Sequence, residues 1–305
     1  MTGRLVVLCP GQGGQSAGMF DMARSDPAAR RLLDAWFDDP VLAAPLRAAP
    51  GFANPVAQPS IVAATLAMWT ALGELPAQPV LVAGYSIGEL AAYGVAGALD
   101  PADAIRLAVE RARLMDACVD ARAPQAMVAL SGMADGRVDA LLQRFGFYRA
   151  IVTGEDTLVA GGPADARDAL AQEAVAAGGR ATILPVEVAS HTPLLAGAVA
   201  PFAAVLQRQR WTTPAFPVLS GIAAEPVQDA TRAIDTLSRQ IAAPIRWQEC
   251  MDACVEAGAT VALELGPGAA LARMLQARHP QIACRSVTEF RALDGIRSWL
   301  HRQLE

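Results

Sequence analysis

The segment Gly84-Tyr85-Ser86-Ile87-Gly88 has the G-x-S-x-G pattern in which a serine can act as a nucleophile. The two glycines permit a sharp turn that exposes the hydroxyl, and backbone N–H groups at the next helix start can face a developing oxyanion. Val80–Ala83 predicts a buried strand before this turn, and Glu89–Val95 predicts a helix after it. This context favours a nucleophilic Ser86 over a chance match in a chain with 25 glycines.

A nucleophilic serine needs a general base, and the chain has three histidines. His279 and His301 lie in polar stretches near the C-terminus, which predicts surface positions. His191 follows an apolar strand at a predicted strand-to-helix junction, where α/β folds often place catalytic groups. A helix-start residue without a catalytic role is the alternative; together with Ser86, His191 is the best candidate base.

Two further segments could contribute to such a site. Gly11-Gln12-Gly13-Gly14-Gln15 follows the predicted strand Arg4–Cys9; its glycines would let backbone approach a ligand, and Gln12 could supply amide donors. A plain turn is the alternative. Arg111 and Arg113 lie on a mostly apolar predicted helix, and an arginine facing a pocket can bind a carboxylate through two parallel hydrogen bonds. A solvated helix face is the alternative for both.

The composition excludes several functional classes. All 25 basic residues are arginine, so Schiff-base chemistry on lysine, a phosphate loop ending in GK[ST] and a lysine-linked cofactor are impossible. The net charge is -5 without any basic stretch, so no nucleic-acid partner is expected. No stretch approaches the roughly 18 apolar residues, free of charges and breakers, that a membrane helix requires, so no membrane partner is expected.

The cysteines predict reduced thiols and no metal site. There are five of them without a CxxC pair, which favours buried free thiols and a cytoplasmic location. The apolar run Leu5–Leu8 is too short for the central region of a signal peptide.

The order of predicted elements indicates an α/β fold with two parts. Strands alternating with helices over 1–123 and 191–305 predict a large, hydrolase-like domain with a parallel-sheet core. Residues 124–190 have the order strand, helix, strand, strand, helix, strand, which predicts a small ferredoxin-like subdomain. Its predicted elements are Met127–Leu130, Asp135–Phe145, Ala150–Ala160 with a break near Gly154, Pro163–Ala177 and Arg180–Val188.

Seven segments, in this order, resemble motifs of the malonyl-CoA:acyl carrier protein transacylases and of the acyltransferase domains of fatty-acid and polyketide synthases. They are GQGGQ at 11–15, Ala57-Gln58-Pro59, GYSIGE at 84–89, RARLM at 111–115, SHTPLL at 190–195, PIRW at 244–247 and ELGPG at 264–268. The resemblance covers nearly the whole chain, and seven ordered matches are far more specific than any one of them.

The resemblance implies a role for each matching residue. Ser86 would be the nucleophile, and His191 its base and then the acid toward the leaving thiolate. Gln12 and the backbone N–H of Ile87 would line the oxyanion hole, and Arg111 would bind the malonyl carboxylate.

The resemblance further implies that Gln58, Tyr85 and Ser190 line the substrate pocket. In this family a backbone carbonyl orients the histidine in place of an acidic triad member, and here that carbonyl would lie near Arg246.

Two departures from the family pattern affect the predicted function. Tyr85 stands where the family usually has histidine, which resembles the acyltransferase (epsilon) subunit of bacterial malonate decarboxylase. That subunit charges a carrier subunit bearing a phosphoribosyl-dephospho-CoA group. Ser190 stands where many malonyl-selective domains have phenylalanine, which leaves room for a methylmalonyl group.

The implied reaction uses malonyl-CoA as the donor and the phosphopantetheine-type thiol arm of an acyl carrier protein or carrier subunit as the acceptor. No permanently bound cofactor is expected. The primary interpretation is malonyl transfer for malonate decarboxylase. The alternatives are a transacylase of fatty-acid or polyketide synthesis, a serine thioesterase that uses water, and a non-catalytic scaffold subunit.

Overall fold

The computed structural model describes residues 3–305, which form two β-sheets and the helices packed against them. The strands are β1 (Leu5–Cys9), β2 (Leu81–Gly84), β3 (Gln125–Ser131), β4 (Tyr148–Gly154), β5 (Thr157–Pro163), β6 (Arg180–Ile183), β7 (Val218–Leu219), β8 (Pro226–Val227), β9 (Val261–Glu264) and β10 (Ala283–Ser286). The helices are α1 (Asp21–Arg24), α2 (Pro27–Asp38), α3 (Ala43–Arg47), α4 (Asn54–Leu72), α5 (Ile87–Val95), α6 (Pro101–Asp116), α7 (Asp135–Phe145), α8 (Arg167–Ala176), α9 (Ala196–Gln207), α10 (Ala230–Gln240), α11 (Trp247–Glu256), α12 (Ala270–Arg278) and α13 (Leu293–Leu304).

The larger sheet has the strand order β10-β9-β1-β2-β7-β8 and is parallel except at its β8 edge. Its central strand β1 is buried on both faces. Leu5 and Val7 pack into one hydrophobic cluster, and Val6 and Leu8 pack into another on the opposite face. A parallel sheet covered on both sides explains the continuous apolar run in the sequence, and the predicted α/β fold is confirmed.

Helix α4 is the main helix of the larger core. It packs against α2, α5 and α6, and nearly all of its side chains are buried. Its 19 residues are long and apolar enough to span a membrane by length and composition, but 78% of the apolar window is buried inside the fold. Burial in the core therefore accounts for its composition.

The smaller sheet is antiparallel, with the strand order β4-β5-β3-β6. With α7 and α8 it completes the ferredoxin-like order of elements, and Val128, Leu142 and Leu170 form a core of its own. It is joined to the larger part at Ile245, whose N–H donates to the Ala150 carbonyl at 2.9 Å. The strands of this subdomain lie between residues 125 and 183, inside the predicted range of 124–190.

Two predicted strands of the subdomain differ from those observed. The stretch predicted over 150–160 is a hairpin, because the chain turns at 155–156 and continues as β5. The strand predicted over 180–188 ends at Ile183; only the Leu184 N–H still donates to the neighbouring strand, at Met127. Pro185 has no N–H with which to extend this pairing. The chain then leaves the sheet as a loop that leads to His191.

Candidate active site

Ser86 occupies a strained turn between β2 and α5. Its backbone has φ 55° and ψ -118°, a conformation that side-chain-bearing residues rarely adopt. The turn requires both flanking glycines: a Cβ at Gly84 would overlap the backbone of Glu89, and one at Gly88 would overlap the carbonyl oxygen of Cys9. The turn therefore places Ser86 at the carboxyl end of a central strand, where open α/β sheets bind ligands.

His191 lies 105 residues further along the chain and meets Ser86 directly. Its Nε2 is 2.7 Å from the Ser86 Oγ. The histidine backbone also has a positive φ, of 64°, and is held by a 2.8 Å hydrogen bond from its N–H to the Ile241 carbonyl. Two separate positions of backbone strain thus meet at one hydrogen bond, which is typical of functional sites.

The other ring nitrogen of His191 determines its tautomer. Nδ1 lies 2.6 Å from the backbone carbonyl oxygen of Gln240, and a carbonyl can only accept a hydrogen bond. The neutral ring therefore carries its proton on Nδ1. Its Nε2 presents a lone pair to the Ser86 hydroxyl, which is the arrangement that a general base requires.

The predicted position of the histidine-orienting carbonyl is wrong. The carbonyl belongs to Gln240 and not to Arg246, whose own carbonyl accepts from the Cys250 N–H at the start of α11. The reason lies in the helix ends. Helix α10 ends at Gln240, so this carbonyl has no partner within the helix and is free for His191.

The two residues predicted to line the oxyanion hole both have an unpaired backbone N–H group. Within residues 3–305, the N–H groups of Gln12 and Ile87 have no hydrogen-bond partner. Ile87 is the first residue of α5, where a helix leaves its N–H groups unpaired. The side chain of Gln12 instead donates to Asn54 Oδ1 at 3.1 Å, so the backbone N–H is the free donor of this residue.

Arg111 points into the protein from α6 and is 3% exposed. Its Nη1 donates to Gln58 Oε1 at 2.8 Å, and its Nη2 donates to Gln240 Oε1 at 3.1 Å. Burial lowers the pKa of Arg111 to about 10, and the negative charge of Glu89 opposes this shift. The guanidinium thus stays positive at neutral pH. Both direct partners are neutral amides, which leaves its charge available to an anion. Arg113, by contrast, is exposed and bonds Glu110.

Comparison with known proteins identifies the family of the chain. Residues 6–289 match the acyl transferase domain family. The chain belongs to this family. The malonyl CoA-acyl carrier protein transacylase of Mycobacterium tuberculosis is 32% identical over 301 residues, which cover 96% of this chain and 99% of the relative. The transacylase named for Haemophilus influenzae is 28% identical over 80% of each chain.

Solved structures of transacylases have the same fold as this acyltransferase. The malonyl-CoA:acyl carrier protein transacylase of Xanthomonas oryzae has a TM-score of 0.90 and 26% identity, with full coverage of both chains. The Coxiella burnetii transacylase has a TM-score of 0.89 and 26% identity, covering 100% of this chain and 99% of the other. A malonyl-transacylase solved in complex with a type II polyketide-synthase acyl carrier protein has a TM-score of 0.85 and 26% identity, with 99% coverage of both.

The three residues predicted to line the substrate pocket lie beside these groups. Gln58 contacts Arg111 directly. Tyr85 precedes Ser86 and packs edge-on against Trp247, with ring centroids 5.1 Å apart. Ser190 precedes His191 and is 8% exposed. Tyr85 and Ser190 are thus adjacent in sequence to the reactive pair, and their role in substrate binding stays a prediction.

The candidate site includes two residues that sequence analysis missed. Gln240 supplies both the carbonyl at His191 and the amide oxygen at Arg111. Glu89 is fully buried, and its Oε2 accepts from the Gln240 Nε2 at 2.5 Å. Burial raises the pKa of Glu89 to about 7. The hydrogen bonds from Gly221 and Gln240 and the positive charge of Arg111 lower the pKa, but by less than burial raises it. Glu89 ends the GYSIGE segment, which was a usable signal; Gln240 lies outside every matched motif.

A cavity of about 930 Å³ lies between the large part and the small sheet of the acyltransferase. Asn54 lines it from the large part and bonds the side chain of Gln12. Gln125 lines it from the small sheet and accepts from the Ala189 N–H, two residues before His191. Ser86 and His191 themselves do not line the cavity; its lining residues contact the Gln12 side chain and the loop before His191.

The site contains no metal centre among the described residues: nowhere in 3–305 do three or more His, Cys, Asp or Glu side chains converge to hold an ion. The five cysteines are free thiols.

The glycine requirement of the turn is testable with Gly88→Ala. The added Cβ would overlap the Cys9 carbonyl and lie 2.6 Å from that of Pro10, both of them backbone atoms. We expect a loss of about 1–3 kcal/mol in the free energy of unfolding. Since the turn also moves Ser86, a fluorophosphonate probe should label the serine roughly tenfold to a hundredfold more slowly.

Gly136→Ala is the matched control, because a Cβ there meets nothing within 4 Å and the residue lies in helix α7. It should fold with unchanged or slightly higher stability. Equal stability and labelling rates in the two variants would contradict the close-approach argument.

The protonation state of His191 gives a second prediction. Burial and the positive charge of Arg111 lower the pKa of His191 to about 3, so the ring should stay neutral as the pH falls from 8 to 5. Histidine side-chain ¹⁵N spectra should show the Nδ1–H tautomer throughout this range, with the signal assigned through a His191→Gln variant. Protonation with a midpoint near 6.5, the ordinary value for histidine, would contradict it.

Proposed function

We propose that the protein transfers a malonyl group from malonyl-CoA to the thiol of an acyl carrier protein, through an ester on Ser86. The observation that carries this proposal is the 2.7 Å contact between the Ser86 hydroxyl and Nε2 of His191, whose proton is held on Nδ1 by the Gln240 carbonyl. A charged Arg111 is buried beside them and bonds the side chain of the same Gln240. The family of the chain and the names of its relatives support the same donor and acceptor.

The first half-reaction forms the acyl-enzyme. His191 Nε2 takes the proton of the Ser86 hydroxyl as Oγ attacks the thioester carbonyl. The oxyanion accepts hydrogen bonds from the free N–H groups of Gln12 and Ile87, each typically worth about 2.7–4 kcal/mol in such sites. The C–S bond breaks, and His191 returns its proton to the departing coenzyme A thiolate.

The second half-reaction is the same chemistry with another thiol. His191 takes the proton of the carrier thiol, whose sulfur attacks the ester carbonyl on Ser86. The C–O bond breaks, and the serine oxygen recovers the proton from His191. The kinetics are therefore ping-pong.

Arg111 selects an acyl group that carries a carboxylate. A guanidinium has five N–H donors, and the bonds to Gln58 and Gln240 leave others for a malonyl carboxylate. The interaction forms in a pocket screened from water, where a charged hydrogen bond is strong. An acetyl group has no such partner and gains nothing from Arg111.

The cavity of about 930 Å³ suits the thiol arm of the acceptor. A phosphopantetheine arm is long and largely uncharged, so it can extend from the surface to the edge of the Ser86 site. In this proposal coenzyme A and the carrier are substrates, and the protein holds no permanent cofactor.

A role as the acyltransferase subunit of malonate decarboxylase is the second candidate. It rests on Tyr85, where the transacylase family usually has histidine. The curated relatives described above are named as transacylases, which supports the acyl carrier protein as acceptor. The two candidates differ in the thiol arm: phosphopantetheine in one, phosphoribosyl-dephospho-CoA in the other.

The carboxylate assignment predicts the effect of Arg111→Ala. The value of kcat/KM for malonyl-CoA should fall roughly a hundredfold or more, since a buried charged pair is lost. The value for acetyl-CoA should change little. Arg113→Ala is the matched control on the same helix, because Arg113 faces solvent. Retained preference for malonyl over acetyl in Arg111→Ala would refute the assignment.

Intact-mass measurement tests the acyl-enzyme itself. After exposure to malonyl-CoA, the wild type should gain one malonyl group, and Ser86→Ala should gain none. The ester should persist in buffer and move to an added acyl carrier protein. Rapid release of free malonate without a carrier would instead identify a thioesterase.

The same mass measurement can determine which acyl donor and which acceptor arm the protein prefers. Parallel samples with methylmalonyl-CoA test the room left at Ser190. Parallel acceptors with the phosphopantetheine and the phosphoribosyl-dephospho-CoA arm distinguish the two candidate roles, and faster transfer to the latter would favour malonate decarboxylase.

A further inference from the structure

A fully buried carboxylate, Glu89, lies one helical turn after Ser86 without bonding to either reactive residue. Its Oε2 accepts from the Gln240 Nε2 at 2.5 Å and from the Gly221 N–H at 2.9 Å. Burying an ionised carboxylate is costly unless its partners repay the cost. Within residues 3–305 its Oε1 has no hydrogen-bond partner, so the group is only partly compensated.

Gln240 is the residue through which Glu89 reaches the site. The side-chain amide of Gln240 has one accepting oxygen and one donating nitrogen. A carboxylate can only accept, and a guanidinium can only donate. Glu89 therefore holds the amide nitrogen, which turns the amide oxygen toward Arg111 at 3.1 Å. The backbone carbonyl of the same residue holds His191 at 2.6 Å.

We propose that Glu89 is a positioning residue for acyl transfer. It acts through Gln240, which fixes the positions of Arg111 and His191 on the two sides of the acyl group. This inference rests on the proposed function. It assigns Glu89 no contact with substrate or with the reacting atoms.

The position of Glu89 has a second consequence for Arg111. A carboxylate in direct contact with Arg111 would occupy the donors that the substrate needs. Glu89 is separated from Arg111 by the amide of Gln240, so it leaves the remaining donors of the guanidinium unoccupied. The substrate carboxylate can then bind Arg111 directly.

A purely structural role for Glu89 would give different results. The bond from Gly221 ties helix α5 to the loop after β7, and loss of that tie alone would lower stability and slow all acyl donors alike. Positioning of Arg111 instead predicts a change in the ratio of kcat/KM for malonyl-CoA to that for acetyl-CoA. This ratio is the decisive readout.

The experiment compares Glu89→Leu and Glu89→Gln with a control at Glu264. Glu264 is another fully buried carboxylate with an unpartnered Oε1; its Oε2 accepts from Ala272 on α12, and its side chain bonds none of the reactive residues. Each variant is assayed with both acyl donors, for fluorophosphonate labelling of Ser86, and for thermal unfolding.

For Glu89→Leu we expect the malonyl-to-acetyl ratio to fall at least about tenfold, and labelling of Ser86 to slow at least about tenfold because His191 loses its support. Glu89→Gln keeps an acceptor for Gln240 and Gly221, so both quantities should stay within about threefold of the wild type. Glu264→Leu should lower stability and leave the ratio unchanged.

A folded Glu89→Leu whose ratio equals that of the wild type or of Glu264→Leu overturns the inference, as does equal impairment in Glu89→Leu and Glu89→Gln. If Glu89→Leu does not fold, Glu89→Asp decides, because it keeps the charge and is one methylene too short to hold Gln240. An unchanged ratio there overturns the inference. A wild type that takes no malonyl group defeats the proposed function and this inference together.

Discussion

The hydrogen bond from His191 Nδ1 to the backbone carbonyl of Gln240 is the interaction on which the site depends. A carbonyl accepts and never donates, so the bond fixes the proton of the neutral imidazole on Nδ1 and leaves the Nε2 lone pair for Ser86. The fold provides this acceptor by ending helix α10 at the residue that faces His191, where helix carbonyls lack internal partners.

The surrounding fold holds both reactive residues in backbone conformations that neither would adopt alone. Ser86 and His191 both have positive φ angles. The packing of a parallel sheet that is buried on both faces offsets the free-energy cost of these backbone conformations. Gly84 and Gly88 let the serine turn lie directly on neighbouring backbone. The small antiparallel sheet adds the second wall of the cavity.

The sequence predicted the parts of the site that depend on local pattern. The turn at Ser86 was predicted because two glycines and a strand-to-helix transition are local features. The apolar helix alone did not distinguish Arg111 from Arg113; the family resemblance selected Arg111, which the structure shows to be buried. Gln240 was missed and Arg246 was chosen wrongly, because a free helix-end carbonyl becomes an acceptor only through tertiary packing. The end of β6 at Ile183 was misjudged for a related reason: apolar residues continue past it, but Pro185 stops the backbone pairing.

A crystal structure of the enzyme trapped with malonyl-CoA would test this account most directly. The account predicts a malonyl ester on Ser86 whose carbonyl oxygen lies 2.7–3.1 Å from the N–H groups of Gln12 and Ile87. It also predicts the malonyl carboxylate on Arg111, with His191 still bound to the Gln240 carbonyl. An ester on another residue, or a His191 ring turned away from that carbonyl in the acyl-enzyme, would contradict it.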